Sequence, residues 1–466
     1  MLPGWVIVLD IGKTLAKLSL WDEHGRMLAQ RVLVNQPLHA HGWRVLNAPA
    51  IEDWMAGGLA EFARMGPVSA IVPVAHGAAA ALIGGGRLID PVQDYEEPLP
   101  VELMASYRGG RDAFALTGSP CLPDGLNLGA QLHRLEADRP GIFGGDAQLL
   151  PWAQYWAWRL SGVAASEVTS LGCHTDLWQP AAGTPSKLAQ RRGWAAHLAP
   201  LRRADEVLGT ITAEWAGRTG LDPGVLVYCG LHDSNAALFA ARGFPQLDGQ
   251  EATVVSTGTW FVAMRSPAPG AAMDLSALPE SRDCLVNVDV HGRPVPSARF
   301  MGGREIEALG GFGAADDAAA LAQVPPLCAS ASMVLPCWTP GVGPFPRSRG
   351  GWIGEPAEPA ARRAALGLYL ALMTDASLDL IGSRERILVE GRFAESEVFV
   401  RALASLRPDA TVYVCGAYEG VPCGALRLVN PELAPPRMLR RIEPLDVDLA
   451  DYRTQWHCHG VAEEHA

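Results

Sequence analysis

The chain has 466 residues, of which 48% are apolar, so a globular protein with two or more domains is expected. Its formal net charge of -12 argues against a nucleic-acid partner, because counterion release on a polyanion requires clustered Lys and Arg. The nine cysteines include no C-x-x-C pair, so they indicate neither a zinc ribbon nor a disulfide framework.

The N-terminal segment MLPGWVIVLDIGK lacks the charged region that precedes the apolar part of a signal peptide. The longest uncharged apolar run in a helix candidate, AALGLYLALMT, is far shorter than the roughly 20 residues of a membrane span. We therefore expect a cytoplasmic protein that has no membrane partner and acts on a small molecule.

A three-stranded meander is predicted over residues 6–34. Val6–Leu9 is an apolar strand, Ala16–Trp21 alternates apolar and polar residues, and the turn DEHG leads into a third strand. Antiparallel hairpins are therefore expected at the start of the chain.

The first hairpin turn contains Gly12, Lys13 and Thr14, directly after Asp10. The letters GKT also end a Walker A loop, in which backbone N–H groups wrap the phosphates of a nucleotide. That loop requires a second glycine five positions earlier, where this chain has Ile7 inside a strand. A Walker A loop is therefore excluded.

Strands and helices then alternate. Helices are predicted at Ile51–Met65, Asn127–Ala137, Leu149–Leu160 and Ser186–Leu198, and strands at Ser69–Val74 and Val225–Cys229. After residue 245 the opening format repeats, with strands Thr253–Val255 and Trp260–Met264 around a turn of Thr257, Gly258 and Thr259. A long helix near Ala360–Ile381 and a strand Ile387–Glu390 follow. The repeat predicts two similar domains, 1–245 and 246–466.

The two glycine-containing turns are candidate phosphate-binding sites. Such a turn can direct backbone N–H groups and a hydroxyl at phosphate oxygens. Two of them facing each other would hold a triphosphate, and Asp10, at its strand end, would hold Mg²⁺ through water. The alternative is a pair of ordinary hairpin turns in which Asp10 only solvates a strand end.

The segment VLVYCGLHDSN is a candidate catalytic segment. An apolar strand ends at Gly230, and His232 and Asp233 stand where a helix begins. A carboxylate there can accept the proton of a hydroxyl that attacks a phosphoryl group. The alternative is a structural role, since Asp before a helix is a favoured N-cap and Ser234 could cap as well.

Three further segments carry candidate binding residues. Gly391 after a strand lets a flat ring approach the backbone, although a simple strand-to-helix turn is the more frequent explanation of such a glycine. His76 also follows a strand, where a lone histidine is more often structural. Asp94, Tyr95 and Glu96 can hydrogen-bond a polyol, or they belong to a solvated loop.

The order of these motifs, over residues 6–428, resembles the FGGY carbohydrate kinase family. The segment GLHDSNAAL is most similar to the rhamnulokinase and fuculokinase side of that family, and VAHG is similar to the xylulokinase motif that contains a sugar-contacting His. The resemblance implies that Asp233 is the catalytic base and that the sugar lies among His76, a carboxylate of the DYEE segment with Tyr95, and His232. It assigns nucleotide contacts to Asp10, Gly12, Lys13, Thr14, Ser256, Thr257, Gly258, Thr259, Gly391 and Arg392.

Two of the positions that depart from the family pattern bear on the ligands. Glu390 stands where the family usually has the first glycine of a Gly-Gly pair, which predicts an altered nucleotide contact. Phe300 stands where rhamnulokinases place an Asn against the sugar, which weakens the case for rhamnulose.

The resemblance thus implies ATP-dependent phosphorylation of a sugar hydroxyl with Mg²⁺, the sugar being a ketose or deoxyketose such as rhamnulose, fuculose or xylulose. The expected fold is α/β, with two ribonuclease H-like domains of the actin-like ATPase type whose mixed sheets flank a central cleft. Domain 1–245 would bind the sugar and domain 246–466 the ATP. A homodimer is the expected assembly. The alternative is a nucleotide-dependent switch or a non-catalytic sugar-binding protein on the same fold.

Overall fold

The computed structural model describes residues 4–271, 273–416 and 418–460, which form two compact units. Unit 1 comprises the residues up to Gly243 together with Val286–Pro294 and Glu419–Pro435. Unit 2 comprises Phe244–Leu285, Val295–Tyr418 and the residues from Pro436 on. Two segments from the second half of the chain therefore belong to unit 1, whereas the sequence suggested a single division near residue 245.

Unit 1 is built on a mixed sheet. Its strands are β1 (Trp5–Ile11), β2 (Leu15–Trp21), β3 (Met27–Val34), β4 (Val68–Ala75), β5 (Val207–Thr210), β6 (Leu226–Tyr228) and β7 (Leu231–His232). The spatial order is β5-β6-β4-β1-β2-β3, and β7 also pairs with β4. The predicted meander β1-β2-β3 is antiparallel, whereas β4 runs parallel to β1, β6 and β7.

The second sheet repeats this plan. Its strands are β8 (Ala252–Thr257), β9 (Phe261–Ser266), β10 (Cys284–Val288), β11 (Pro294–Phe300), β12 (Arg386–Gly391), β13 (Thr411–Cys415) and β14 (Leu439–Arg441). The order is β10-β11-β9-β8-β12-β13-β14. Strand β9 is antiparallel to both β11 and β8, and β12 runs parallel to β8 and β13. The shared order confirms the predicted duplicated α/β fold.

The main helices follow the strands in the same way in both halves. They are α1 (Ala48–Met65), α2 (Val101–Gly110), α3 (Leu128–Asp138), α4 (Trp152–Ser161), α5 (Val168–Leu171), α6 (Asp233–Ala241), α7 (Gly302–Ala308), α8 (Pro359–Leu380), α9 (Glu397–Leu406), α10 (Gly420–Val429) and α11 (Ala450–Gly460). In unit 1, Leu59 and Phe62 of α1 pack with Leu18 of β2 in the largest buried cluster that we describe there. None of the described helices is both long enough and apolar enough to cross a membrane.

Shorter elements complete the described chain. The short strands are Leu38–Ala40, Trp43–Val45, Ala80–Gly84, Arg87–Leu88, Gln148–Pro151, Ser166–Glu167, Trp178–Gln179, Thr184–Pro185, Leu201–Arg202, Met333–Leu335 and Gly351–Ile353. The short helices are Phe114–Thr117, Lys187–Arg191, Ala213–Thr219, Asp317–Ala322 and Val324–Ser330, with 3₁₀ turns at Trp194–His197, Leu275–Ala277, Glu280–Arg282 and Arg392–Glu395.

Two predicted helices are shorter in the structure than the sequence suggested. The helix expected from residue 149 begins at Trp152, because Gln148–Pro151 is a strand paired with Ala80–Gly84. The helix expected over residues 186–198 breaks at Gly193, whose φ of 77° lies in the left-handed region that ends helices. In both places a local geometry or a tertiary strand pairing overrides the helical pattern.

A short turn motif occurs twice in the chain with the same hydrogen bonds. The turns DEHGR and DVHGR begin at Asp22 and Asp289, each between two strands of its sheet. In each turn one carboxylate oxygen accepts two backbone N–H groups at 2.9 Å, and the other accepts the Nε–H of an arginine, Arg26 at 2.7 Å or Arg293 at 2.8 Å. The same sequence thus builds the same turn twice.

Candidate active site

The ends of three parallel strands bring the candidate residues of unit 1 together. Opposite Val74 of β4 lie Asp10 of β1 on one side and Leu231 of β7 on the other. His76 directly follows β4, and His232 and Asp233 join β7 to α6. Because the carboxyl ends of parallel strands meet at one edge of a sheet, side chains distant in sequence converge there.

Gly230 allows β7 to approach β4 closely. Its φ is +75°, and a Cβ atom on this residue would lie only 1.9 Å from the carbonyl oxygen of Pro73. Any side chain would therefore displace the strand that carries His232. The glycine that precedes the His-Asp pair thus has a specific steric role.

The electrostatics of Asp10 identify a crowded acidic cluster. This carboxyl is 9% exposed, and burial, followed by the charge of Asp233, raises its pKa to about 7. Lys17 lowers that pKa, and Glu419 of unit 1 raises it further. A bound cation would relieve the repulsion among these carboxylates.

The ring of His232 lies beside the carboxylate of Asp233. His232 Nδ1 lies 3.1 Å from the amide nitrogen of Asn235, so Nδ1 accepts and Nε2 carries the proton. Nε2 lies 3.2 Å from Oδ1 of Asp233. Burial lowers the pKa of His232, although Asp233 opposes the shift, so the ring is held neutral at neutral pH. The sequence analysis missed Asn235, which follows His232 at a spacing of three residues.

One oxygen of Asp233 is left available for chemistry. Oδ1 lies within bonding distance of His232 Nε2 and accepts the backbone N–H of Ser234 at 2.6 Å. Among the described residues, the hydrogen bonds to Asp233 all reach Oδ1 and none reaches Oδ2. The N-cap position of α6 is occupied by His232 rather than Asp233, so the alternative capping role of Asp233 is not needed to start this helix.

Lys13 is held by the acidic loop that follows β4. Its Nζ lies 2.8 Å from Oδ2 of the buried Asp94 and 3.2 Å from Oε2 of Glu96. The ammonium also lies 5.4 Å from the centre of the Tyr95 ring. The structure therefore brings Lys13 together with the predicted polyol-binding residues. Its predicted role as a nucleotide ligand stays a prediction.

His76 lines the same small cavity as Lys13 and Asp94. Its backbone N–H donates to the carbonyl of Ile11 at 3.1 Å, and its Nδ1 lies 2.7 Å from the carbonyl oxygen of Gly77. Burial lowers the pKa of His76, so the neutral ring carries its proton on Nδ1 and offers Nε2 as an acceptor. The ring contacts Tyr95 edge-on at 5.5 Å, and burial raises the pKa of that tyrosine.

The backbone of the first candidate phosphate turn, which contains Gly12, Lys13 and Thr14, is hydrogen-bonded to Asn35, the residue that follows β3. The side-chain amide of Asn35 donates to the carbonyl of Gly12 at 2.7 Å, and the backbone N–H of Asn35 donates to the carbonyl of Thr14 at 2.8 Å. Thr14 is exposed. A cavity of about 20 Å³ beneath the turn is lined by Gly12, Lys13, Asn35, His76, Asp94 and Trp152. It has room for about one water molecule, so a sugar would need to bind at the open side of the cluster.

In unit 2, the second phosphate turn is joined to the predicted adenosine segment by strand pairing. Ser256 pairs with Glu390 and Thr257 with Gly391 across β8 and β12. The hydroxyl of Thr257 donates to the carbonyl of Glu390 at 2.6 Å and accepts the N–H of Phe393 at 3.0 Å. Thr257 therefore locks the two segments together.

Gly391 has a structural reason to be glycine. Its φ is +88°, and a Cβ atom would lie 2.3 Å from the carbonyl oxygen of Thr257. Next to it, the Glu390 carboxylate accepts the hydroxyls of Ser256 at 2.7 Å and Tyr418 at 3.0 Å, and burial raises its pKa. Arg392 is exposed.

The tip of the second turn is open. Gly258 donates its N–H to the carbonyl of Trp260 at 3.0 Å, and Thr259 is exposed. A Cβ atom on Gly258 would meet only the Trp260 oxygen at 3.7 Å. Of the predicted turn residues in unit 2, Thr259 therefore presents its hydroxyl to solvent, whereas the Thr257 hydroxyl is used internally.

The acidic cluster fits a divalent cation that keeps most of its water. Across the described part of the chain, no three His, Cys, Asp or Glu side chains are grouped closely enough to enclose a metal. Mg²⁺ is commonly held by one or two carboxylates, water and substrate phosphates rather than by a protein cage. Asp10 can supply such a carboxylate, and a bound cation would favour its charged form and lower its raised pKa.

The comparisons with known proteins agree with this picture. Residues 249–436 match the family model described as the C-terminal domain of the FGGY carbohydrate kinases. A carbohydrate kinase from Novosphingobium aromaticivorans is 54% identical, with a TM-score of 0.95 over 100% of both chains. A xylulose kinase from Rhodospirillum rubrum, 20% identical over 98% of both chains, has a TM-score of 0.80 and supports the fold alone.

Curated relatives match over less of their length. The L-fuculokinase of Salmonella typhi is 25% identical over 277 residues, which is 56% of this chain and 56% of that enzyme. The match to the L-fuculokinase of Haemophilus influenzae spans 27% of that enzyme.

Proposed function

The chain belongs to the FGGY carbohydrate kinase family, and from that premise we propose that it transfers the γ-phosphoryl group of ATP to a hydroxyl of a small ketose, with Asp233 as general base. Membership of a family of sugar kinases decides against a nucleotide-dependent switch and against a non-catalytic sugar-binding protein. The identity of the sugar and the roles of individual residues are proposals.

One observation carries the assignment of the base. Asp233 is held through Oδ1 by neighbouring donors, while Oδ2 accepts no hydrogen bond from the described residues. An oriented carboxylate with one available oxygen can take the proton from an attacking hydroxyl. The backbone N–H and the hydroxyl of Ser234 bond to Oδ1 and orient the carboxylate without using its second oxygen, and the ring of His232 lies beside the same Oδ1.

The sugar would be held by the residues around Asp233. The Nε2 acceptor of His76 can receive a sugar hydroxyl, and the carboxylates of Asp94 and Glu96 can do the same. Lys13 keeps those two carboxylates in position through its ion pairs. Much of the rate enhancement would come from this positioning, as is usual for phosphoryl transfer.

The nucleotide would contact the two turns and the segment after β12. Gly12 and Thr14 in unit 1, and Ser256, Gly258 and Thr259 in unit 2, would approach the phosphates. Gly391 and Arg392 would lie near the adenosine, where Glu390 replaces the glycine that is usual in the family. We expect Asp10 to hold Mg²⁺ through water, and the ion would supply charge neutralisation for the transferred phosphoryl group.

A sugar screen tests this function. Purified protein is incubated with ATP, Mg²⁺ and a set of ketoses, aldoses and polyols, and ADP release is measured with the Asp233→Ala variant as control. Sugar-dependent ADP release by the parent alone supports the proposal. If ATP turnover is the same with and without every sugar, the proposal is wrong.

The matches to L-fuculokinases put fuculose first in that screen, and xylulose is included because VAHG is similar to the xylulokinase motif. Rhamnulose is included because of the sequence resemblance.

The expected homodimer and the cytoplasmic location remain predictions. Sedimentation velocity of the purified protein checks whether it is a dimer.

A further inference from the structure

Helix α5 contacts the backbone of His232 from a distant part of the sequence. The backbone N–H of His232 donates to Oγ1 of Thr169 at 3.0 Å, although the two residues are 63 positions apart. Thr169 is fully buried, and His232 is 6% exposed. The hydroxyl of Thr169 is therefore a protein-internal acceptor for the residue that precedes the proposed base.

A second contact fixes the direction of that hydroxyl. Thr169 Oγ1 lies 2.5 Å from Oε2 of Glu167, which is fully buried and can accept a hydrogen bond there. Since Oγ1 already accepts from His232, its own proton must point to Glu167. Glu167 Oε2 also accepts the backbone N–H groups of Thr169 at 3.0 Å and Ser170 at 3.1 Å, and so caps α5.

The other oxygen of Glu167, Oε1, explains why Oε2 can accept the Thr169 hydroxyl in both protonation states of Glu167. Among the described residues, Oε1 is buried and has no hydrogen-bond partner. Burial raises the pKa of Glu167 to about 7, and a proton on Oε1 leaves Oε2 unchanged as an acceptor. The bond from Thr169 is therefore available whether Glu167 is charged or neutral.

We propose that Thr169, oriented by Glu167, is a positioning residue for the proposed catalytic base: it holds the His232 backbone and thereby fixes where α6 presents Asp233. The inference rests on the proposed function, because it assigns Thr169 an effect on the transfer step. Its chain of contacts runs from Glu167 Oε2 to the Thr169 hydroxyl, from that hydroxyl to the His232 N–H, and through one peptide bond to Asp233.

Removing the hydroxyl should affect the chemical step more than substrate binding. Without it, the His232 N–H is buried and unpaired, and the backbone before Asp233 shifts to find another partner. Displacement of a reacting group by about 1 Å can cost on the order of a hundredfold in rate. A loss confined to kcat would distinguish positioning from a loss of sugar or nucleotide binding.

The test compares Thr169→Val with Thr169→Ser in steady-state kinetics with the sugar found by the screen. The valine variant keeps the shape and the capping of α5 but lacks the hydroxyl, and we expect kcat to fall about tenfold or more, with KM for ATP within about threefold. The serine variant restores the hydroxyl and should recover most of the lost kcat. Ser170→Ala is the matched control, because its hydroxyl lies 3.4 Å from Glu167 and does not contact His232.

A kcat for Thr169→Val within about threefold of the parent overturns the inference, and so does a serine variant as slow as the valine variant. If the valine variant does not fold, Thr169→Ala takes its place, with thermal unfolding measured alongside. Asp233→Ala separates this inference from the function on which it rests. If Asp233→Ala is inactive while Thr169→Val is normal, only the positioning role is wrong; if Asp233→Ala keeps its rate, the proposed base and the positioning role both fall.

Discussion

Nε2 of His232 lies 3.2 Å from Oδ1 of Asp233, and the other ring nitrogen accepts from Asn235. The proton of the neutral ring is therefore on Nε2, the nitrogen beside the carboxylate. This relationship leaves Oδ2 of Asp233 for the substrate and makes the behaviour of the pair depend on the protonation state of the histidine.

Asp233→Ala should lower kcat for sugar phosphorylation by about a hundredfold or more, because a general base ordinarily contributes that much. The measurement is ADP release with sugar and ATP at saturation. Ser234→Ala is a suitable control, since its hydroxyl contacts the same carboxylate at 3.4 Å without binding the proposed proton acceptor Oδ2. A rate for Asp233→Ala within about tenfold of the parent would contradict the assignment.

The activity should fall on the acid side as His232 becomes protonated. Burial holds the pKa of this ring below its usual value, so the ring gains its proton only below about pH 6.5, and its bond from Asn235 is then lost. Since the pKa is lower in the folded protein than in the unfolded chain, protonation also favours unfolding, and this part of the stability is lost as the pH falls.

Asn235→Asp should move the acid limb of the pH profile, the range in which activity falls as the pH decreases, to higher pH by about one unit or more. A carboxylate facing Nδ1 favours the protonated ring and so raises the pKa of His232. The pH profile of kcat measures the shift, and Asn235→Ser serves as an uncharged control. An acid limb that does not move in a folded Asn235→Asp variant would show that another group, such as His76, governs it.

Lys13→Met should raise KM for the sugar rather than KM for ATP. The substitution removes the nearer cation of the buried Asp94, at 2.8 Å, and leaves the more distant Arg44, at 3.8 Å, which disturbs the loop proposed to bind the sugar. We expect an increase of about tenfold in KM for the sugar and a change within about threefold for ATP, as is reasonable for the loss of one charge-assisted contact. The double variant Lys13→Met with Asp94→Asn should recover part of the loss. The opposite pattern, an effect on ATP alone, would support the phosphate-binding role implied by the motif.

Gly258→Val should weaken ATP binding without destabilising the protein. A side chain at Gly258 meets only one backbone oxygen at 3.7 Å, so the fold accommodates it, whereas it projects from the turn proposed to contact phosphates. We expect KM for ATP to rise about tenfold, with an unchanged Tm, in line with a lost charge-assisted contact. Unaltered nucleotide affinity would exclude this turn from the ATP site.

Gly391→Ala, unlike Gly258→Val, should destabilise the protein. Its Cβ atom would lie 2.3 Å from the Thr257 carbonyl at a φ of +88°, so we expect a loss of about 1–3 kcal/mol in the free energy of unfolding. Thermal or denaturant unfolding measures it. A variant as stable as the parent would mean that the backbone at this position relaxes freely, contrary to its packing against Thr257.

The sequence by itself predicted many of the strands of both sheets, the duplicated format and the candidate residues for the chemistry. Strands β1, β2, β8 and β9 have strong local patterns, and a glycine with hydroxyls in a tight turn is readable from the letters alone. The pairs Asp10 with Gly12, and His232 with Asp233, are neighbours in the chain, so their proximity needed no tertiary information. Local patterns are encoded within a few residues, which is why they can be recognised one segment at a time.

Only the tertiary structure decided which of these residues meet. The ion pair of Lys13 with Asp94 spans 81 residues, and the bond from His232 to Thr169 spans 63, distances at which a local pattern carries no information about contact. Sheet order brings β1, β4 and β7 together and returns Glu419–Pro435 to unit 1. The physical reason is that such contacts depend on how whole strands and helices pack, so the contact of Thr169 with His232 became visible only once that packing was known.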